Sequence, residues 1–167
     1  MINAILACDV NGGIGKNGML PWEKSPSDLK RFQKTTKNQI VIMGRHTWES
    51  LDMPCPLPNR MNVVVSSKPL IVQPDIWINT NESSILKSIV NIGLDAVELK
   101  KSVWIIGGAA LFDTCFPLIN KILLTKFNNS YDCDTFIDLA KINQEFNSQG
   151  FIQTQTHTFH TLSRKEE

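Results

Sequence analysis

Six short apolar runs, each ended by glycine, serine or a polar turn, set the strongest limit on how this chain folds. They are Ile2 to Val10, Gln39 to Met43, Met61 to Val65, Ile76 to Ile78, Ser102 to Ile106 and Lys121 to Lys126. Several are nearly continuous rather than alternating, as strands covered on both faces are. Between them lie segments with helical character. One starts at Ser25, a short one at Arg45 and another at Ala109, running to Phe116, while Glu82 to about Leu99 reads as one or two pieces interrupted near Gly93. Strands alternating with helices predict an α/β sandwich around a largely parallel sheet. No repeat or linker divides the 167 residues, so one domain over 1–167 is expected. Pro54-Cys55-Pro56-Leu57-Pro58 is a stiff loop, not a boundary.

Composition excludes several classes of function. Net charge is +1 with 20% charged residues, so no field of one sign advertises nucleic acid or a membrane surface. Cys8, Cys55, Cys115 and Cys133 have no CxxC spacing, so neither a metal site nor a disulfide framework is indicated. Idle thiols fit a reducing, cytoplasmic setting. The start, Met1-Ile2-Asn3-Ala4, lacks a signal-peptide pattern, and no apolar stretch approaches a transmembrane span.

The richest local stretch runs from Ile14 to Thr36. Ser25-Pro26-Ser27-Asp28 reads as a helix start, with proline suited to the first position. Leu29 and Phe32 share one face, and Asp28 lies four residues before Phe32, so one carboxylate points along an apolar surface. Beside Leu, Phe and Trp it loses hydration, and its pKa should rise toward neutrality. The same residues also suit an N-cap with an acid near the helix dipole, and on spacing alone capping is the commoner outcome. Upstream, Asn11 to Gly18 carries four glycines without GxGxxG order, and reads equally as a turn or as a mobile lid.

Three strand ends share a chemistry: Gly44-Arg45-His46-Thr47, Ser66-Ser67-Lys68 and Gly107-Gly108. Ligands of open α/β sheets bind at the carboxyl ends of strands, and bare helix N-termini attract phosphate. Each end is weak alone. Together they suggest a nucleotide phosphate chain across the sheet edge.

These residues resemble the dihydrofolate reductase family. Val41-Ile42-Met43-Gly44-Arg45-His46-Thr47-Trp48-Glu49-Ser50 is similar to the segment following that family's second strand. Ile14-Gly15, Leu20-Pro21-Trp22, Asp28-Leu29-x-x-Phe32, Leu57-Pro58-x-Arg60, Ile105-Ile106-Gly107-Gly108 and Cys133-Asp134-Thr135-Phe136 follow in the family's order, over roughly residues 1 to 140. The resemblance implies a three-layer sandwich, with a mostly parallel central sheet, an antiparallel C-terminal part and flanking helices. It also implies reduction of 7,8-dihydrofolate to tetrahydrofolate by hydride from NADPH, in one-carbon metabolism, and a target for antifolates.

Residue roles are implied in the same way. Asp28 would bind the pterin and support protonation at N5, with Thr125 hydrogen-bonded to it, Trp22 reached through water and Leu20 closing over the site. Ile5, Ala7, Leu29, Phe32, Leu51, Leu57 and Ile106 would surround the substrate, and Arg60 would clamp its glutamate carboxylate. Ala7, Ile14, Gly15, Leu20 and Ile106 would meet the nicotinamide end. Gly44, Arg45, His46, Thr47, Ser66, Ser67, Lys68, Gly107, Gly108, Ala109, Ala110, Leu111 and Phe112 would hold the rest of the cofactor. The Gly12 to Leu20 loop would close over it.

Three departures qualify the match. Asp52 to Pro56 and the region between Asn81 and Lys101 are longer than the family pattern, and are expected to be surface excursions with little catalytic effect. Ala110 stands where some relatives carry a second arginine, so Lys68 would compensate. The tail leaves two readings. Either Thr156 to Leu162 serves as the last strand of a reworked hairpin, or the chain stops before a final strand, as a piece cut from a fusion with thymidylate synthase. The reading leans to the second; otherwise a monomer is expected. Competing functions are a related reductase of a pyrimidine or riboflavin precursor, and a folate- or nucleotide-binding scaffold without turnover.

Overall fold

The computed structural model describes residues 1–50 and 52–166. Its strands and helices follow in the order β1 (Ile2–Cys8), β2 (Gly13–Gly15), α1 (Pro26–Thr36), β3 (Ile40–Gly44), α2 (Arg45–Trp48), β4 (Met61–Ser66), β5 (Ile76–Asn79), α3 (Ile85–Glu98), β6 (Val103–Gly107), α4 (Ala109–Cys115), β7 (Lys121–Phe127), β8 (Thr135–Phe136), α5 (Leu139–Glu145), β9 (Phe146–Gln153) and β10 (His157–Arg164). A 3-10 turn, Phe116–Leu118, leads from α4 to β7. Eight strands form one sheet in the order β5-β4-β3-β6-β1-β7-β10-β9, and β2 pairs with β8 in a separate ribbon. The six strands from β5 to β7 are mutually parallel, while β10 runs antiparallel to its two neighbours, β7 and β9.

The near-continuous apolar runs divide by the two-residue period of a strand. Ala4, Leu6, Ile40, Ile42, Val63, Val103 and Ile105 join one buried cluster with Ile89, Phe112 and Phe116. Ile5, Val41, Met43, Val64 and Trp104 join the other, with Leu57 and Trp48. Both faces are covered, so neither shows the alternation of a half-solvated sheet.

Two expectations about elements are corrected. Gly93 does not interrupt its helix: α3 runs unbroken from Ile85 to Glu98. A side-chain carbon there would lie 3.4 Å from Ile2, so the glycine marks close packing on β1 rather than a break. The alternating run Gln149 to Phe159 is split by a turn in which Thr154 N donates to His157 O at 2.8 Å, and β10 returns between β7 and β9. Residues 146–164 therefore form an antiparallel hairpin in which His157–Arg164 is the strand beside β7. Arg164 fixes the end of β10. It donates to the carbonyls of Ile119 and Phe116, pairs with Glu145 at 2.7 Å and lies against the Phe116 and Phe146 rings.

Candidate active site

The carboxyl ends of β1 and β6, helix α2 beyond β3, the inner face of α1 and the glycine-rich segment enclose a cavity of about 260 Å³. Helix α1 sets its polar centre. Ser25 caps the helix, accepting weakly from Asp28 N at 3.5 Å, and Pro26 occupies the first turn. The cap leaves the Asp28 carboxylate free to turn inward, where Thr125 Oγ1 of β7 donates to Asp28 Oδ1 at 2.6 Å. Both readings of this segment hold at once: serine caps, aspartate faces the cavity. Burial raises the Asp28 pKa above the ordinary aspartate value, against the Thr125 hydrogen bond and the charges of His157 and Arg31, which lower it.

Of the residues expected at the substrate end, Ile5, Ala7, Asp28, Leu29, Phe32 and Ile106 line the cavity. Thr125 stands behind Asp28. Trp22 is buried, its ring tilted against Phe127 with centres 4.6 Å apart and edge-on to Tyr131 at 5.8 Å. Leu57 is buried in the core beside Phe32, and Leu51 lies outside the described residues. Arg60 stands outside the cavity wall, donating to Thr36 Oγ1 at 2.8 Å and to Pro58 O at 2.7 Å, with its guanidinium carbon 5.7 Å from the Phe32 ring centre.

At the opposite end, β3 and β6 each hand over to a helix whose N-terminus has no side-chain cap: Gly44 before α2 and Gly108 before α4. The two ends touch, since a side-chain carbon on Gly44 would lie 3.8 Å from Gly108 N. Gly107, cis to Gly108, has φ +129°, and Thr47 Oγ1 would lie 3.4 Å from a side chain there. His46, Thr47, Gly107 and Gly108 line the cavity together with Ile14, Gly15 and Leu20. Adjoining N–H groups without a side-chain cap are suited to an anion.

Other cofactor expectations fall outside the cavity. Arg45, on the α2 N-terminus, forms an ion pair with Glu49 at 2.9 Å. Ser66 is buried and occupied locally, donating to Lys68 O at 2.7 Å and accepting from Lys68 N, whereas Ser67 and Lys68 are exposed beyond β4. Ala109 and Ala110 sit in the first turn of α4. Leu111 and Phe112 point into the core, so only backbone at those two positions faces outward.

Gly18 and Met19 line the cavity within the loop expected to close over it, and Ser50, Asp52, Met53 and Thr135 also line it, positions for which sequence reasoning gave no role there. Asp52 Oδ2 accepts from Leu20 N at 2.7 Å, tying the glycine-rich segment across the cavity mouth. The Asp52 to Pro56 segment is therefore not wholly a surface excursion, because its first residues belong to the wall. The root of the same segment hangs on Asp9. Oδ1 accepts from Asn11 N and Gly13 N, both at 2.8 Å, and Oδ2 from Tyr131 N at 2.9 Å and weakly from the Cys133 thiol at 3.7 Å. Asp9 is fully buried, which favours its neutral form, yet these donors outweigh burial and lower its pKa. A side-chain carbon on Gly13 would overlap the Cys133 side chain, so the turn requires glycine. Beyond it, β2 pairs with β8, and Asp134 Oδ2 accepts from Asn17 N at 2.9 Å.

Burial pushes the Cys8 and Cys115 thiols up to about 12. No helix among the described residues is long and apolar enough to cross a membrane.

Comparison with known proteins agrees with this geometry. The family model described as dihydrofolate reductase matches residues 1–164. A dihydrofolate reductase type 8 from Escherichia coli is 34% identical over 99% of this chain and 96% of its own length. The dihydrofolate reductase of Bacillus subtilis is 37% identical over 80% of this chain and 73% of its own. The fold superposes on a dihydrofolate reductase from Enterococcus faecalis solved with NADP(H) and RAB-propyl, with TM-score 0.80 and 27% identity, covering 99% of this chain and 97% of that one. With the sheet order, the half-buried aspartate and the paired glycine turns in place, the chain belongs to the dihydrofolate reductase family.

Proposed function

We infer that this chain reduces 7,8-dihydrofolate to tetrahydrofolate with NADPH. One observation carries the reading: a half-buried carboxylate, Asp28, held by Thr125, shares a cavity with two bare helix N-termini. The first suits a pterin's amino and ring N–H groups, and the second a dinucleotide diphosphate. The residues present therefore fit the cofactor, which supplies the hydride when bound.

This chain's own part is orientation and electrostatics. Asp28 accepts from the pterin and, as an anion in a desolvated site, favours positive charge developing on the ring as N5 gains its proton. Its raised pKa keeps a proton available at higher pH than a solvated aspartate would. Ile5 and Ile106 flank the ring, Leu29 and Phe32 cover the adjoining part of the substrate, and Arg60 takes the glutamate carboxylate. Thr36 and Pro58 pre-orient that guanidinium. Gly15 to Leu20 closes over the nicotinamide end and excludes water. Thr47 and the first turns of α2 and α4 take the diphosphate, and Arg45, Ser67 and Lys68 take the 2′-phosphate.

A chain acting alone in the cytoplasm fits this reading. A carboxylate pocket of this shape is also where antifolates with protonated diamino rings would bind. The deciding experiment measures NADPH oxidation by the purified protein: it proceeds only when dihydrofolate is added. Oxidation without it, or none with it, overturns the reading. A pyrimidine or riboflavin precursor replacing dihydrofolate as the better substrate would assign the related reductases instead.

A further inference from the structure

On the far side of α1 from the catalytic cavity, the helix and the C-terminal hairpin enclose a second groove of about 580 Å³. Its helical wall presents Lys30, Arg31 and Lys34, one stripe at helical spacing. Its floor is Gly150, Ile152 and Phe159 of the hairpin. Among the described residues no carboxylate lines it. The ion pairs formed among the described residues, Lys16–Asp132, Arg45–Glu49 and Arg164–Glu145, all lie elsewhere. The carboxylate whose charge reaches Arg31 is Asp28, which faces the catalytic cavity. Arg31 is fixed in place, its guanidinium carbon 4.8 Å from the Phe159 ring centre and Nη2 donating to His160 O at 3.2 Å. Its buried Nη1 meets no acceptor among the described residues.

The groove adjoins an open sheet edge. β9 is the outermost strand, and every residue from Asn147 to Gln153 is exposed. Outer strands are ordinarily blunted by lysine, proline or a bulge. β9 reads Phe-Asn-Ser-Gln-Gly-Phe-Ile-Gln, with no charge and no proline. Its one irregularity, opposite Thr161 and Leu162, leaves Gly150 to Gln153 in regular register with β10. That regular half carries Phe151 and Ile152, 65% and 68% exposed. Ile152, paired with Phe159, stands on the groove side. A side-chain carbon on Gly150 would meet nothing within 4 Å.

We propose that this face docks an extended acidic polypeptide segment, added as a strand along Gly150 to Gln153, with its carboxylates on Lys30 and Lys34 and its apolar side chains over Ile152. Strand addition to a free edge supplies main-chain hydrogen bonds, and alternate side chains supply selectivity. Charge decides against a second copy of this chain. The two-fold axis of an antiparallel β9–β9 pair stands normal to the sheet, so both cationic grooves would lie side by side on one face. An acidic strand reverses that repulsion.

The test titrates ¹⁵N-labelled full-length protein with a blocked nonapeptide of alternating glutamate and valine, and with its lysine–valine counterpart. The glutamate peptide shifts the amides of residues 150–153 and 30–34, and binds at least about tenfold tighter than the lysine peptide. Added salt weakens it. Lys30→Glu combined with Lys34→Glu inverts the preference, and Ile152→Lys abolishes binding, with both proteins checked by thermal melting. Should a variant fail to fold, the contrast between the two peptides on the unaltered protein still decides. Equal binding of both peptides, shifts confined to other faces, or no binding at millimolar peptide overturns the proposal. So does self-association of the protein alone that Ile152→Lys removes, since the face would then belong to a second copy.

Discussion

Thr125 Oγ1 donates to Asp28 Oδ1 at 2.6 Å, joining the middle of β7 to the first turn of α1 across 97 residues of sequence. The hydroxyl favours the carboxylate anion, and burial opposes it more strongly, so the Asp28 pKa is raised. One hydrogen bond thus limits how far desolvation takes the acid. This balance can be shifted from either side.

Asp28→Asn keeps the shape and removes the charge. NADPH affinity should hold while dihydrofolate turnover falls by roughly 100-fold or more. Near-normal turnover of this variant at neutral pH would remove Asp28 from the chemistry. Stability should move the other way. A carboxyl whose folded pKa is raised binds more protons folded than unfolded, so stability falls as pH rises from the ordinary aspartate value through the raised one. The asparagine variant should therefore melt higher than the parent at neutral pH, and the difference should shrink in acid.

Thr125→Val removes the interaction that lowers the Asp28 pKa. In the parent, hydride transfer should slow as pH rises through the raised pKa, because protonated enzyme is lost. In the valine variant the same fall should come at higher pH. Single-turnover rates across pH check it, and an unmoved or acid-shifted midpoint would separate Thr125 from the titrating group.

Arg60→Leu should raise KM for dihydrofolate much more than it lowers kcat, because the glutamate carboxylate is remote from the reacting carbon. A charge-assisted pair contributes roughly 1.5–3 kcal/mol. A pterin without the glutamyl tail should be handled equally by parent and variant. Thr36→Val removes the acceptor that orients Arg60 Nε and should give a smaller effect of the same sign. Equal losses for both substrates would refute the clamp.

What the sequence made legible follows from range. Strand positions could be read because each apolar run is itself the strand, and Asp28, Leu29 and Phe32 because helical spacing puts them on one face. Asp9 was not legible. Its acceptors serve Tyr131 and Cys133, more than 120 positions away, and nothing local in Cys8-Asp9-Val10 signals a buried anion. Asp52 was hidden likewise, inside a segment read only as extra length. The final hairpin misled because Gln149 to Phe159 alternates across a turn, which pattern alone does not break.

Arg45→Ala should cost roughly ten- to a hundredfold in NADPH affinity, from 1.5–3 kcal/mol per charged hydrogen bond, and leave NADH nearly unchanged. The ion pair with Glu49 adds a second expectation. Glu49 competes with an incoming phosphate for the guanidinium, so Glu49→Gln should tighten NADPH and not NADH. Lys68→Ala should weaken NADPH, more at low salt. Dissociation constants for both cofactors decide it, and parallel changes for NADH and NADPH would place the 2′-phosphate elsewhere.

Asp9→Asn tests whether the lid and the Tyr131–Cys133 segment act as one piece. The carboxylate accepts on both oxygens: Asn11 and Gly13 of the lid root on one, Tyr131 and Cys133 on the other. An amide has one accepting oxygen, and its NH₂ would face donors on the remaining side. Asparagine therefore keeps one loop and repels the other, whichever way it is turned. Because Ile14, Gly15 and Leu20 line the cavity from the lid, the loss should fall on the nicotinamide end. NADPH dissociation should quicken by about tenfold or more, the size of a lost charged hydrogen bond, and single-turnover hydride transfer should slow with it. Dihydrofolate affinity should stay within about twofold, since Asp28, Leu29 and Phe32 stand on α1 rather than on the lid. Stopped-flow NADPH release, dihydrofolate titration and thermal melting separate the possibilities. Cofactor and substrate affinities that weaken together, in step with a lower melting temperature, would make Asp9 a support of the fold alone.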